Sequence, residues 1–153
     1  MANTYTQIHI QAVFAVQNRK SIIHSSWKDE LYKYITGIIQ NQNHKLLVIN
    51  GTEDHIHMLF GFRPVQSLSD LIQDVKGCSS RWINEKNFQK SRFSWQEGVG
   101  AFSYSKSQLN SIIGYIKNQD EHHRKTTFIE EYIEILRQFE VEFDERYIFK
   151  PLE

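Results

Sequence analysis

Residues 53–62, EDHIHMLFGF, set His55 and His57 on either side of one isoleucine in an otherwise apolar run. Alternate side chains of a β-strand share a face, so the two imidazoles stand together, roughly 6.5 Å apart along the chain. Ile56, Met58 and Phe60 take the other face. A buried imidazole needs a hydrogen-bond partner, and two side by side point to a shared task, usually a metal ion. A pair of rings satisfied within a core is the alternative. A second pairing lies in SQLNSIIGYIKNQDEHH, residues 107–123. There Leu109, Ile112, Ile113 and Ile116 form an apolar helical stripe, with Ser111, Tyr115, Gln119 and His122 in a polar stripe beside it. Tyr115 and Gln119 are one turn apart and therefore neighbours. By themselves they read as a snorkelling aromatic at a helix boundary.

The elements that would position these groups are legible from periodicity. Residues 5–16, YTQIHIQAVFAV, alternate and then turn apolar, as a strand buried on both faces does. Helical spacing of Trp27, Leu31, Tyr34, Ile35 and Ile38 predicts a helix over 25–42, capped by Ser25 or Ser26. Residues 45–50 form a second strand, and a short Gly51–Thr52 link makes a hairpin with a third over 54–62. A second helix follows, capped by Ser67 or Ser69 and running to about residue 86. FSWQEGVGAFSYS supplies a fourth, glycine-interrupted strand; helices are predicted over 106–121 and 128–140. The order β-α-β-β-α-β-α-α predicts an α+β, ferredoxin-like, four-stranded antiparallel sheet with two helices on one face. The other face is left for a site, with the tyrosine helix beside it.

Length and composition bound the function. A chain of 153 residues with 40% hydrophobic content fits a single domain over 1–153 with a real core. No apolar run is long enough to span a membrane, and MANTYTQIHIQ lacks the pattern of a signal peptide. A lone cysteine, Cys78, excludes an intrachain disulfide and fits a cytoplasmic location; it reads as a small buried helix residue. The zero net charge hides an asymmetry: residues 1–127 carry 15 Lys/Arg against 10 Asp/Glu, whereas 128–153 carry 3 against 8. That acidic C-terminal helical segment would pack through Phe128, Tyr132, Ile135, Leu136 and Phe139. Lys76, Arg81, Lys86, Lys90 and Arg92, interleaved with Trp82, Phe88 and Phe93, could track a nucleic-acid backbone, as could Arg19 and Lys20. A solvated helix face explains the same residues. With no net positive charge, affinity for nucleic acid would be modest, salt-sensitive and local to this patch.

DHIHMLF on a strand together with YIKNQ on a late helix is more specific than either motif alone. The combination resembles the HUH-type single-tyrosine transposases of small bacterial insertion sequences (the 200/605 class, including their repeat-associated relatives). The resemblance runs through VFAVQNRKSII, GTEDHIHMLF, SLSDLIQDVKGCSSRWINE, FSWQEGVGAFSYS and YIKNQDEHHRKTTFIEEY. It implies a divalent cation, Mg²⁺ or Mn²⁺, on His55, His57 and Gln119, with Tyr115 as nucleophile. It further implies single-stranded, hairpin-forming DNA as substrate and a homodimer in which each tyrosine helix can serve the partner's metal site. Gly98 and Gly100 lie where a swinging helix needs pliable backbone, although a bulge or turn explains them equally.

The chemistry is coherent with those residues. A bound cation acts as a Lewis acid on a phosphodiester, and a phenol with an ordinary pKa near 10 needs activation by its site. A phosphotyrosine stores the bond energy, so no nucleotide-binding G-x-x-x-x-G-K-[ST] loop is required, and none is present. Glu53, on the predicted face of His55, could orient a ligand or simply be a surface residue. His122 and His123, with Arg124 and Lys125, fit favourable charges at a helix C-terminus. Two rival functions remain: a non-catalytic module binding single strands on an open ferredoxin-like sheet, and a replication initiator or relaxase, for which the chain is short.

Overall fold

The computed structural model describes residues 4–144 apart from Arg124, and of Arg19 the backbone alone. Four strands, β1 (His9–Ala15), β2 (Lys45–Gly51), β3 (His55–Gly61) and β4 (Gly100–Tyr104), form one antiparallel sheet in the order β2-β3-β1-β4. This is the expected ferredoxin-like order, with β1 and β3 central. Val13 of β1 and Asn50 of β2 flank His57 in register. Helices α1 (Lys28–Asn41) and α2 (Leu68–Lys86) cover one face. Their Leu31, Ile35, Ile39, Leu71, Val75 and Ile83 pack on Ala12, Phe14, Ile56, Met58 and Phe60.

The opposite face carries Gln11, Val13, Ala15, His55, His57 and Leu59. It is closed by α3 (Leu109–Lys117), the single turn α4 (Gln119–His122) and α5 (Phe128–Gln138). Ile116 of α3 packs on Val48 and Leu59, with Leu109, Ile112 and Ile113 beside it. Phe128, Ile135 and Leu136 of α5 pack on Val13, Ala15 and Phe102. Two small apolar clusters therefore bracket the histidines, and no open sheet face remains among the described residues.

Local chemistry explains most boundaries. Ser67 caps α2 by accepting from the Asp70 amide at 3.0 Å, and Asn87 ends that helix in the left-handed region. Neither Ser25 nor Ser26 caps α1, which starts after Trp27; that indole is buried and stacked on Phe88 with ring centroids 4.8 Å apart. Thr127 and Glu130 form a capping box at the start of α5. The single helix expected over 106–121 is broken at Asn118. The Asn50 side-chain amide donates to the carbonyls of Ile116 at 3.0 Å and Lys117 at 3.1 Å, removing acceptors the helix would use to continue.

The strand expected over 93–105 is shorter, Gly100–Tyr104, with an isolated bridge pairing Trp95 to Val16. Gly98 turns the chain at φ 90°. A Cβ on Gly100 would come within 2.5 Å of the Tyr132 ring. These glycines thus serve a turn and a close approach. Cys78 is half-buried on α2. No helix among the described residues is long and apolar enough to cross a membrane. Of the acidic segment 128–153, residues 145–153 lie outside the described residues.

Candidate functional site

His55 and His57 are completely buried on the face closed by α3–α5, with ring centroids 5.1 Å apart. Their outer nitrogens are already committed. His55 Nδ1 faces Asp54 Oδ1 at 2.7 Å, and the Thr52 hydroxyl donates to that same carboxylate oxygen at 2.9 Å. His57 Nδ1 faces Gln11 Oε1 at 2.7 Å, while the Gln11 amide nitrogen donates to the Tyr104 hydroxyl at 2.7 Å. Such partners fix ring orientation and aim each Nε2 inward. Glu53, the other candidate for orienting a ligand, lines a surface cleft, and its backbone oxygen accepts from the Ile22 and Ile23 amides.

Both Nε2 atoms point at one buried carboxylate that inspection of the sequence did not single out. Glu131 Oε1 lies 2.9 Å from His57 Nε2, 3.4 Å from His55 Nε2 and 2.9 Å from His123 Nε2. Its Oε2 accepts from the Gln119 amide nitrogen at 3.1 Å and from the Tyr115 hydroxyl. The Gln119 amide oxygen faces His55 Nε2 at 3.1 Å. Tyr115 also stacks edge-on to His57, ring centroids 5.9 Å apart, with its hydroxyl 3.4 Å from His122 Nε2. His55, His57, Tyr115 and Gln119, drawn from a strand and two late helical segments, therefore meet at one point. Within the chain, Asn50 and β2 hold α3 beside the histidines.

Burial alone would lower the His55 pKa, but the Asp54 and Glu131 carboxylates on its two nitrogens outweigh it and push the ring up to about 9. Burial dominates at His57, which is pushed down to about 4 despite Glu131. Burial would raise the Glu131 carboxyl, yet His123, His55 and His57 together hold it well below the usual carboxylate range. Burial, followed by the Glu131 charge, raises the Tyr115 phenol. A neutral His57 has one N–H for two oxygen acceptors, Gln11 Oε1 and Glu131 Oε1. With Nδ1–H donated to Gln11, a lone pair on Nε2 faces a carboxylate oxygen at 2.9 Å. A cation between them turns that repulsion into coordination. The donor set fits a divalent metal: one ligand atom each from His55, His57, His123 and Glu131 lie within 4.8 Å of one another.

The basic residues lie elsewhere. Lys20, Arg81, Lys86, Lys90 and Arg92 are exposed. Arg81 and Lys86 belong to α2, on the face away from the histidines. Lys76 is half-buried and donates to the carbonyls of Gln96, at 2.9 Å, and Gly98, with Phe14 beneath its ammonium, so it ties α2 to the segment before β4. The Arg19 side chain lies outside what is described.

Glu131 did carry a signal. It sits at i+3 of Phe128 on the apolar face of α5, the one acidic residue among Phe128, Tyr132 and Ile135, while the capping box accounts for Glu130 and not for it. Two clefts reach the site from solvent. One is lined by Lys28, Thr52, Asp54, Asp120 and His123, the other by Gln11, Tyr104, Tyr115, His122 and Glu131.

Residues 4–119 match the family model described as "Transposase IS200 like". Among curated proteins none matches the sequence significantly. Several solved structures share the fold, two of them as follows. A protein from Deinococcus radiodurans assigned as a transposase is 20% identical, with TM-score 0.63, covering 76% of this chain and 94% of its own. A REP-associated tyrosine transposase bound to a REP hairpin is 12% identical, with TM-score 0.61, covering 79% of this chain and 72% of its own.

Proposed function

The chain belongs to the IS200-like transposase family, and from that premise we propose that it cuts and rejoins single-stranded DNA through a covalent bond to Tyr115. The observation that carries this reading is the convergence of the Tyr115 hydroxyl with the His55 and His57 Nε2 atoms and the Gln119 amide at one buried point. His55, His57 and Gln119 would hold the divalent cation, which when bound supplies Lewis-acid charge to the scissile phosphate.

Tyr115 Oη bonds phosphorus as the P–O3′ bond breaks. The phenolic proton passes to solvent along the cleft, the released 3′ oxygen takes a proton from solvent, and the downstream strand is left as a 5′-phosphotyrosine. Reversal by a 3′-OH rejoins DNA without nucleotide hydrolysis. Glu131 Oε2 accepts from the Tyr115 hydroxyl, and its part is to aim that hydroxyl. The half-buried phenol is reached along the cleft it shares with Tyr104 and His122.

A hairpin-forming strand is the substrate this reading favours, because a tyrosine transposase of the same fold is bound to a REP hairpin. Arg81, Lys86, Lys90 and Arg92 would hold backbone away from the cut. The rival function, single-strand binding on an open sheet, has no open face to use among the described residues. The test is a hairpin oligonucleotide incubated with protein and Mn²⁺, then run under denaturing conditions. A 3′-end label should migrate with the protein and a 5′-end label should not, and Tyr115→Phe should give no adduct. An adduct that survives in Tyr115→Phe removes this assignment.

A further inference from the structure

The ligand set implied by the family resemblance is two histidines and a glutamine, but this chain places two further donors at the same point. Glu131 Oε1 is the atom shared by three imidazole nitrogens, at 2.9, 3.4 and 2.9 Å. Ligand atoms around a small divalent ion with bonds of 2.0–2.1 Å are about 3.0–3.5 Å apart; the contacts to Glu131 Oε1 match this, and the four ligand atoms, all within 4.8 Å of one another, would draw slightly together on an ion. Glu131 is buried, and a buried carboxylate needs a cation to offset its desolvation. Asp54 and Gln11 occupy the outer nitrogens of His55 and His57, which leaves their inner lone pairs for that cation.

His123 ends the α4 turn, where its amide bonds the Gln119 carbonyl at 2.9 Å, and its ring lies against His55 with centroids 4.5 Å apart. Gln119 donates its amide nitrogen to Glu131 Oε2 and so positions the carboxylate, while its amide oxygen, 3.1 Å from His55 Nε2, stays turned to the same point.

We propose that Glu131 and His123 are metal ligands beside His55 and His57, so that the site offers three imidazoles and one carboxylate, a set suited to a nitrogen-accepting transition ion such as Co²⁺ or Zn²⁺. Mg²⁺ favours oxygen donors and several waters and suits this set less well. The single carboxylate also halves the charge of the bound ion. It holds Tyr115 by its second oxygen, so metal set and nucleophile share one side chain. The inference rests on the proposed metal site, and its test separates the two.

Co²⁺ binding is titrated by calorimetry and visible absorption, without DNA, on the full chain and on His57→Ala, Glu131→Gln, His123→Ala and Gln119→Ala. X-ray absorption of the Co²⁺-loaded wild type counts imidazoles and requires no variant to fold. Expected are three imidazoles, affinity losses of about 100-fold or more for the first three variants and a smaller loss, about 10-fold, for Gln119→Ala. Millimolar Mg²⁺ should not displace the Co²⁺. Two imidazoles, with wild-type affinity in Glu131→Gln and His123→Ala but not in His57→Ala, would overturn this proposal and leave the two-histidine site standing. Absence of Co²⁺ binding by the wild type would remove both.

Discussion

The two faces of the one sheet are built from the same alternating strands and do opposite things. Toward α1 and α2, β1 and β3 present Ala12, Phe14, Ile56, Met58 and Phe60 to an almost wholly apolar layer. Toward α3–α5, the intervening positions of those strands present Gln11, His55 and His57, which split the apolar contacts into two small clusters. Burying apolar area stabilises by about 25 cal/mol per Å², whereas burying ions and imidazoles costs free energy unless every group is partnered. The first face therefore holds the fold. The second holds buried polar groups that are partnered with one another. One residue of register separates them, since a shift of one would exchange the faces.

The sharpest separation comes from Tyr115→Phe. Removing the hydroxyl should lower cleavage by on the order of 10⁴-fold or more, as for other nucleophiles. Stability should change by only about 1 kcal/mol for the lost hydrogen bond to Glu131. Single-turnover cleavage with denaturant unfolding in parallel checks both, and a large stability loss would place Tyr115 with the structural residues.

Phe60→Ala breaks the comparison from the other side. Phe60 is fully buried on the α1/α2 face, so its truncation should cost about 3–5 kcal/mol by urea unfolding. In the fraction still folded, Mn²⁺ affinity should stay within a few-fold of wild type. Loss of metal binding in well-folded protein would mean that the two faces are not independent.

His57→Ala should remove the Mn²⁺ isotherm, because it takes away one of the proposed ligands. It also leaves Gln11 and Glu131 with a lost partner each, and a stability change of roughly 1–3 kcal/mol should accompany it. An unchanged isotherm would make the histidine pair structural.

Mixing His57→Ala with Tyr115→Phe tests which chain supplies the tyrosine. Since α3 is docked on its own β2 and Tyr115 meets its own histidines, no cleavage should return even when mixed dimers are shown to form. Recovery would establish the shared-site arrangement that the family resemblance implies. The smallest effect expected is that of Asn50→Ala, which frees the carbonyls of Ile116 and Lys117. It should destabilise α3 by about 1–2 kcal/mol, visible as faster amide exchange in Leu109–Lys117 with α2 unchanged.

Local pattern was enough for everything whose cause is local. Period-two alternation placed Ile56, Met58 and Phe60 on one face of β3 and the histidines on the other, because a strand's side chains have no other arrangement. Helical spacing located α1, α2 and α5, and Ser67 marked the start of α2 by chemistry confined to four residues. His55 and His57 were visible as a pair for the same reason, whereas Tyr115 and Gln119 stood out only through the family resemblance of DHIHMLF taken with YIKNQ.

What tertiary structure decided is what depends on contacts across the chain. Glu131 lies 74 residues from His57, and its capping-box neighbourhood explains the helix start without hinting at the fold of α5 over the histidines. The break at Asn118 comes from Asn50, 66 residues before the carbonyl it captures. His123 reaches the cluster only because that break redirects the chain into the α4 turn. Periodicity records which way a side chain faces on its own element. Which other element meets that face is settled by packing, and packing here put a carboxylate between the imidazoles and the tyrosine.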